Sequence, residues 1–337
     1  MLIPYKVIAW ENEKLVLLDQ TMLPVQEIYQ TYECVAPLID AIQRLVVRGA
    51  PALGVTGAYG VVIAMDQASR EKWTSRQLDK AIDGIRDARP TAVNLAWAVE
   101  KIRPEISKGR DTVLAIARRF AEEDYQSSTS MGNIGADWLV NALGKKPLTL
   151  LTHCNTGSLA TTGTGTALGV IRKMHERGLV TEVYADESRP LLQGSRLTAW
   201  ELLKSGIPHR IQADSAAAMA ILDGRIDAAI IGADRIVKNG DTANKIGSLG
   251  VALACHEAGI PFLVVAPESS VDRSLASGKE IHIEIRGDEE LTFFKGIQVA
   301  PTGTQTFNPA FDVTPAKFIS AVITELKAYE IGKGETL

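Results

Sequence analysis

Cysteine and histidine are scarce in this 337-residue chain, and neither is spaced for metal binding. Cys34, Cys154 and Cys255 lie far apart and form no CxxC pair, which excludes a disulfide framework and reads as reduced thiols. His153, His175, His209, His256 and His282 are scattered, so no metal ligand set is expected. No apolar run approaches the roughly 18 residues of a membrane span. Positive charge is not in excess either. The formal net charge is −4, which excludes the broad basic surface that nucleic-acid binding generally needs. Glu11, Glu13 and Asp19 come too early for a signal peptide, so a cytoplasmic protein is expected.

What is present suits a globular protein of about two domains, with 46% hydrophobic residues and enough length to bury a core without disulfides. Lys6–Leu18 alternates like a small antiparallel element. Val35–Val47, Pro51–Gln67, Arg76–Arg86, Asn94–Ile102 and Thr112–Tyr125 then show apolar residues at helical spacing. The polar stretch Gln126–Thr129 marks a boundary. Beyond it, short apolar runs at Leu148–Thr152, Thr181–Tyr184, His209–Gln212, Ala228–Ile231 and Pro261–Val265 alternate with helical patterns at Thr166–Glu176, Leu197–Lys204, Ser215–Leu222 and Lys245–His256. Such alternation implies right-handed crossovers and a buried parallel sheet. The expected fold is therefore α/β: a mainly helical N-terminal domain with a small β-sheet over 1–128, and a Rossmann-like parallel sheet flanked by helices over 129–337.

The polar residues that follow the strands carry the chemistry. The first strand runs into His153-Cys154-Asn155-Thr156-Gly157. The second leads to Asp186-Glu187-Ser188-Arg189-Pro190, then Gln193-Gly194. The third ends at Asp214 and the fourth at Asp234-Arg235, with Asn244-Lys245 after a short loop. Ligands of open parallel sheets bind outside the carboxyl ends of the strands, so a thiol, carboxylates and cations converge there as in an active site. Singly, each has a plainer use. A lone Cys154 is most often a small buried hydrophobe, Asp234, Asp186 and Asp214 could cap turns or helices, and Lys245 alone would be a solvated charge. The helix-cap use is retained for Asp214. Strand alternation would point His153 to the sheet face opposite Cys154.

Two segments are suited to phosphate. Arg48-Gly49-Ala50 precedes Pro51, a residue favoured at a first helical position, so an arginine and backbone N–H groups sit at a helix entry. Arg89-Pro90-Thr91 repeats the pattern. The Gly/Thr-rich run Thr156–Gly169 contains Gly163-x-Gly165, but its third glycine falls one position too late for a dinucleotide fingerprint and the pair lies about ten residues past the strand. Asp186 nonetheless sits near where a ribose-binding acid would be expected, so a dinucleotide-dependent dehydrogenase is a rival reading.

The runs RGAPALG (48–54), RPTAVNLAWA (89–98), THCNTGSLATTGTGTALGVIR (152–172), SRPLLQGSRLTAWEL (188–202), GADRIVKNGDTANKIG (232–247) and NPAFDVTP (308–315) resemble the 5-methylthioribose-1-phosphate isomerases of methionine salvage. The resemblance runs from about residue 45 to the C-terminus. It implies that Cys154 and Asp234 are the catalytic pair and that Arg48, Gly49, Ala50, Arg89, Gln193, Asn244 and Lys245 bind substrate. It further implies a homodimer that uses no metal or organic cofactor. The chain departs from the family pattern at Asp186-Glu187-Ser188, at Ser248-Leu249 and in PFLVVAPESSVD (261–272), as a paralogue acting on 5-deoxyribose 1-phosphate would. The family also shares its fold with ligand-sensing regulatory subunits of the eukaryotic initiation nucleotide-exchange factor, a non-catalytic alternative. For the isomerase, Asp234 would deliver a proton if burial raises its carboxyl pKa, with Cys154 as the partner acid/base.

Overall fold

The computed structural model describes residues 3–90 and 93–337. It divides into two compact units: residues up to Thr129 together with Thr156–Gly165, and Ser130–Asn155 together with Thr166–Leu337.

The first unit opens with antiparallel strands β1 (Ile8–Glu11), β2 (Lys14–Leu18) and β3 (Tyr29–Tyr32) in that order. The third strand lies beyond the element expected from the alternation of Lys6–Leu18. Helices α1 (Val35–Gln43), α2 (Ala50–Glu71), α3 (Ser75–Arg86) and α4 (Val93–Ile102) follow. Helix α2 is apolar on nearly every side and is the buried axis of this unit. Small residues let its neighbours close in: a Cβ on Gly57 would lie 2.6 Å from Leu95 Cδ1 of α4. Helix α3 starts on a capping box, in which Thr74 and Gln77 satisfy each other's backbone N–H.

Helix α5 (Arg110–Leu143) runs unbroken through Gln126–Thr129, and the two units divide at the end of that stretch, between Thr129 and Ser130. The Ser128 hydroxyl, fully buried, donates to the Tyr125 carbonyl and accepts from Thr164 N–H in the Thr156–Gly165 loop. Residues 110–129 of α5 belong to the first unit and 130–143 to the second.

The second unit carries β4 (Leu148–Thr152), α6 (Ala167–Glu176), β5 (Val180–Asp186), α7 (Ala199–Lys204), β6 (His209–Gln212), α8 (Ala217–Leu222), β7 (Ala228–Ile231), β8 (Arg235–Val237), β9 (Thr242–Lys245), α9 (Ser248–Ala258) and β10 (Phe262–Val265). Short strands β11 (Val271–Asp272), β12 (Phe293–Phe294), β13 (Ile297–Gln298), β14 (Phe311–Thr314), β15 (Ala321–Ile323) and β16 (Ala328–Tyr329) complete it, with the helical turn α10 (Glu289–Thr292). The described residues form a seven-stranded sheet in the order β16-β15-β10-β7-β4-β5-β6, parallel except for the edge strand β16.

The central strands β4, β7 and β10 are buried on both faces: Leu150, Ile230 and Val265 pack into one cluster, and their neighbours Leu151, Ile231 and Val264 into another. That is why these strands read as apolar runs. The helix expected over Lys245–His256 starts only at Ser248. Thr242–Lys245 is instead strand β9, paired with β8 and β14, and Gly247 at φ +108° separates strand from helix.

Candidate active site

The chain builds β5 and β6 outward on one side of β4, then returns to lay β7, β10 and β15 on the other. Strand β4 is therefore the topological switch point, where the carboxyl ends of an open α/β sheet form a crevice. Cys154 leaves from this point. Gln193 follows β5 and Asp234 follows β7, so all three come off contiguous strands at one sheet edge.

Cys154 is buried and holds a left-handed backbone at φ +68°, which costs a non-glycine residue about 1–2 kcal/mol. Three bonds hold it there. Its N–H donates to Ser188 Oγ at 2.8 Å, its carbonyl accepts from Thr198 Oγ1 at 2.6 Å, and its sulfur accepts from Gln193 Nε2 at 3.3 Å. Asn155 Nδ2 extends the network to Glu201 Oε1 at 2.8 Å, and Arg172 meets the other Glu201 oxygen at 2.9 Å. Gln193 Oε1 and Asn155 Oδ1 are buried acceptors without a protein donor. Such atoms beside a thiol are suited to receive substrate hydroxyls.

The segment after β5 is tightly specified. Asp214 accepts the N–H groups of Ser188 (2.7 Å) and Arg189 (2.6 Å), so it caps this turn rather than the helix that follows it. A π-helical turn over Gly194–Thr198 comes next. A Cβ on Gly194 would meet Asp186 O at 1.7 Å, so only glycine fits. Asp186 is fully buried and bound to His153 Nδ1 (2.9 Å) and Gln212 Nε2 (2.8 Å). It is thus engaged inside the protein and not presented to a ribose. Helix α6 also starts well after β4 ends, unlike the immediate turn of a dinucleotide site. The dehydrogenase reading loses its support at Asp186.

Asp234 sits in the turn from β7 to β8, its N–H donating to Ala243 O at 2.9 Å. Asp234 is exposed. The turn carries it past the strand end, out of the packed layers. Asn244 and Lys245 are both buried on β9. Asn244 Nδ2 donates to Ser248 Oγ (2.9 Å), which donates to Lys245 O (2.7 Å). Lys245 Nζ donates to Ala310 O at 2.9 Å and lies 4.3 Å from the Phe311 ring centroid. It is no solvated surface charge; a carbonyl and a ring face hold it.

The first unit holds Arg48, Gly49, Ala50 and Arg89. Gly49 sits at φ +91° ahead of α2, whose first turn has no side-chain cap, leaving N–H groups available to an anion. The Thr156–Gly165 loop closes on this turn so tightly that a Cβ on Gly49 would meet Ala160 O at 2.3 Å. Gln20 Nε2 and Asp124 tether the loop through Leu159 O (2.7 Å) and Thr162 Oγ1 (2.6 Å). Arg48 and Arg89 are half-buried. Gly49→Ala should cost about 1–3 kcal/mol of stability through its backbone region alone; an unchanged urea midpoint would refute this account of the turn.

Sequence spacing missed one grouping. His153, Asp186 and Asp214, far apart in the chain, place ligand-type atoms within 4.8 Å of one another. Their atoms are already taken up by Ile246 O, Gln212, Ser188 and Arg189 and by the His153–Asp186 pair itself. The alternation argument for His153 does not apply, because β4 ends at Thr152 and Cys154 is left-handed. Thr198, Glu201 and Arg172 carry no assigned role in the sequence reading; they lie inside the family runs around Cys154 and Gln193.

The chain belongs to the Initiation factor 2 subunit family, which it matches over residues 46–330. Within it, the chain is 47% identical to the methylthioribose-1-phosphate isomerase of Geotalea daltonii over 95% of this chain and 94% of that one. It is 49% identical, over 94% of its own length, to a probable bifunctional methylthioribose-1-phosphate isomerase/methylthioribulose-1-phosphate dehydratase of Nocardia farcinica, and spans 58% of that protein. Among solved structures, the 5-methylthioribose 1-phosphate isomerase of Pyrococcus horikoshii OT3 superposes with a TM-score of 0.89 at 37% identity, covering 98% and 96% of the two chains. The translation initiation factor eIF-2B subunit delta of A. fulgidus gives 0.87 at 39% identity, covering 96% of each.

Proposed function

We propose that this chain is an aldose–ketose isomerase of methionine salvage, converting 5-methylthioribose 1-phosphate into 5-methylthioribulose 1-phosphate. Full-length similarity to isomerases of that name supports the reading. The observation that carries it is a thiol and a carboxylate leaving adjacent strands, β4 and β7, at the switch point of the sheet. The phosphate on C1 prevents the easy opening of a free aldose. Asp234 delivers a proton to the ring oxygen as the bond from C1 to that oxygen breaks. Hydrogen then passes from C2 to C1 while the C2 hydroxyl loses its proton to a base, leaving a C2 ketone; Cys154 is the partner acid/base. Arg48 and Arg89, with the N–H groups of Gly49 and Ala50, hold the phosphate. Gln193, Asn244 and Lys245 orient the sugar. A homodimer in the cytoplasm, working without cofactor, completes the proposal. Among the described residues no helix is long and apolar enough to cross a membrane.

The similarity to an initiation-factor subunit keeps a ligand-sensing role as the second reading. Turnover of 5-methylthioribose 1-phosphate followed by NMR decides between them: binding without product would establish the sensor. Within the isomerase reading, the methylthio group and the 5-hydrogen of 5-deoxyribose 1-phosphate differ by apolar contact, worth about 1–3 kcal/mol or roughly ten- to two-hundredfold in kcat/KM. Both sugars should be accepted within that range. Ribose 1-phosphate and ribose 1,5-bisphosphate should be much poorer, since their polar 5-substituents would need buried partners. Comparable efficiency on the bisphosphate would refute this substrate class.

A further inference from the structure

We propose that His153 is a positioning residue: a buried imidazolium, with a proton on each ring nitrogen, that pins the turn between β9 and α9 to the segment bearing Cys154. This goes beyond the proposed isomerase chemistry and rests on it only where turnover is concerned.

The argument starts from donors and acceptors. The His153 ring has no exposed surface; Nε2 lies 2.9 Å from the Ile246 carbonyl and Nδ1 2.9 Å from Asp186 Oδ2. A carbonyl oxygen can only accept, so Nε2 carries a proton. Asp186 accepts from Gln212 through Oδ1 and faces Nδ1 through Oδ2; as a carboxylate it can only accept, so in this pairing Nδ1 carries the second proton. An imidazole donating at both nitrogens is a cation, and a buried cation needs paired charge. Carboxylates supply it from three separate elements: Asp186 at the end of β5, Asp214 after β6 and Asp312 on β14. Cys154 on its own segment is the other titratable group acting on the ring, while the Cys255 thiol of α9 faces Asp186.

Burial alone would lower the basicity of the ring, but the Asp186 bond and the surrounding negative charge outweigh it and push His153 up to about 9. Burial pushes the Asp186 carboxyl upward too, opposed by the His153 and Gln212 donors. The sign follows. An imidazolium favoured in the folded state stabilises it fully below the unfolded value near 6.5 and ceases to do so as pH rises through about 9.

What the ring holds is specific. Ile246 lies between Lys245 and Gly247, and a Cβ on Gly247 would sit 2.8 Å from His153 Cε1. From the other side, Asp312 accepts Gly247 N–H (2.7 Å) and Leu249 N–H (3.1 Å). The turn that follows Asn244 and Lys245 is thereby clamped between a cation and a carboxylate, one residue from Cys154 on the cationic side.

The test is a pH titration of the full chain labelled with nitrogen-15 in histidine, in which His153 is assigned by its loss in His153→Gln. Both ring nitrogens should be protonated at pH 7 and the midpoint should lie near 9; an unprotonated Nδ1 at pH 7 overturns the proposal. Hydrogen-exchange protection of residues 244–249 should fall at least about tenfold in His153→Gln while that of β10 stays unchanged; equal protection in both proteins also overturns it. If His153→Gln does not fold, Asp186→Asn serves, lowering the His153 midpoint by more than one pH unit, and an unmoved midpoint refutes the pairing. These readouts need no substrate, so a neutral ring in an active isomerase defeats this inference alone. An imidazolium in an inactive chain defeats the proposed function alone.

Discussion

Asp234→Asn should lower kcat by at least about a hundredfold while leaving KM within a few-fold of the parent. An amide keeps the shape and one hydrogen bond of the carboxyl but cannot deliver a proton, and general acid catalysis is worth about 10²–10⁴-fold. Loss confined to kcat marks a contact made in the transition state rather than in the bound substrate. Asp234 is exposed in this chain, so its substitution should leave the fold intact and make the kinetic readout clean. Cys154→Ser should lose turnover similarly, because a hydroxyl is a far weaker acid than a thiol. Near-parent turnover in either folded variant would remove that residue from the chemistry.

Glu201→Ala should destabilise the second unit by about 3–5 kcal/mol, the cost of breaking a buried ion pair from one side. Glu201 has no exposed surface and Arg172 almost none, and their 2.9 Å bond is the deep end of the network that reaches Cys154 through Asn155 and Thr198. Removing the carboxylate leaves a guanidinium buried without its charge partner. Replacing both residues, as in Arg172→Met with Glu201→Leu, should cost much less, since an apolar pair carries no desolvation penalty. Chemical denaturation of the three proteins measures this; a loss below about 1 kcal/mol in Glu201→Ala would show that the pair is no strut. Turnover should fall in Glu201→Ala as well, because Asn155, next to Cys154, loses its shorter side-chain bond and keeps only the 3.3 Å contact to Thr198.

Much of the fold was legible because its signals are local. Leu148–Thr152, His209–Gln212 and Ala228–Ile231 are strands with the bounds expected from apolar runs between turn residues. A strand buried on both faces has nowhere to place a polar residue except its ends. The same rule places Cys154 and Asp234 just beyond those ends. The helical spacing of Lys245–His256 extends across Gly247, whose left-handed backbone no periodicity reveals.

The sequence by itself determined the alternation of strands and helices, the sheet edge at which thiol, carboxylates and cations gather, and the family motifs. Tertiary structure alone decided which of those groups meet. It paired His153 with Asp186, 33 residues away, and set Asp214 to cap a turn 26 residues behind it. It gave Cys154 its left-handed backbone and left Asp234 in the open. The reason is physical. Periodicity records which face of each element is buried, a property of neighbours in the chain. The partner of a buried polar group is fixed by which strand ends are brought side by side, and that depends on strand order around β4.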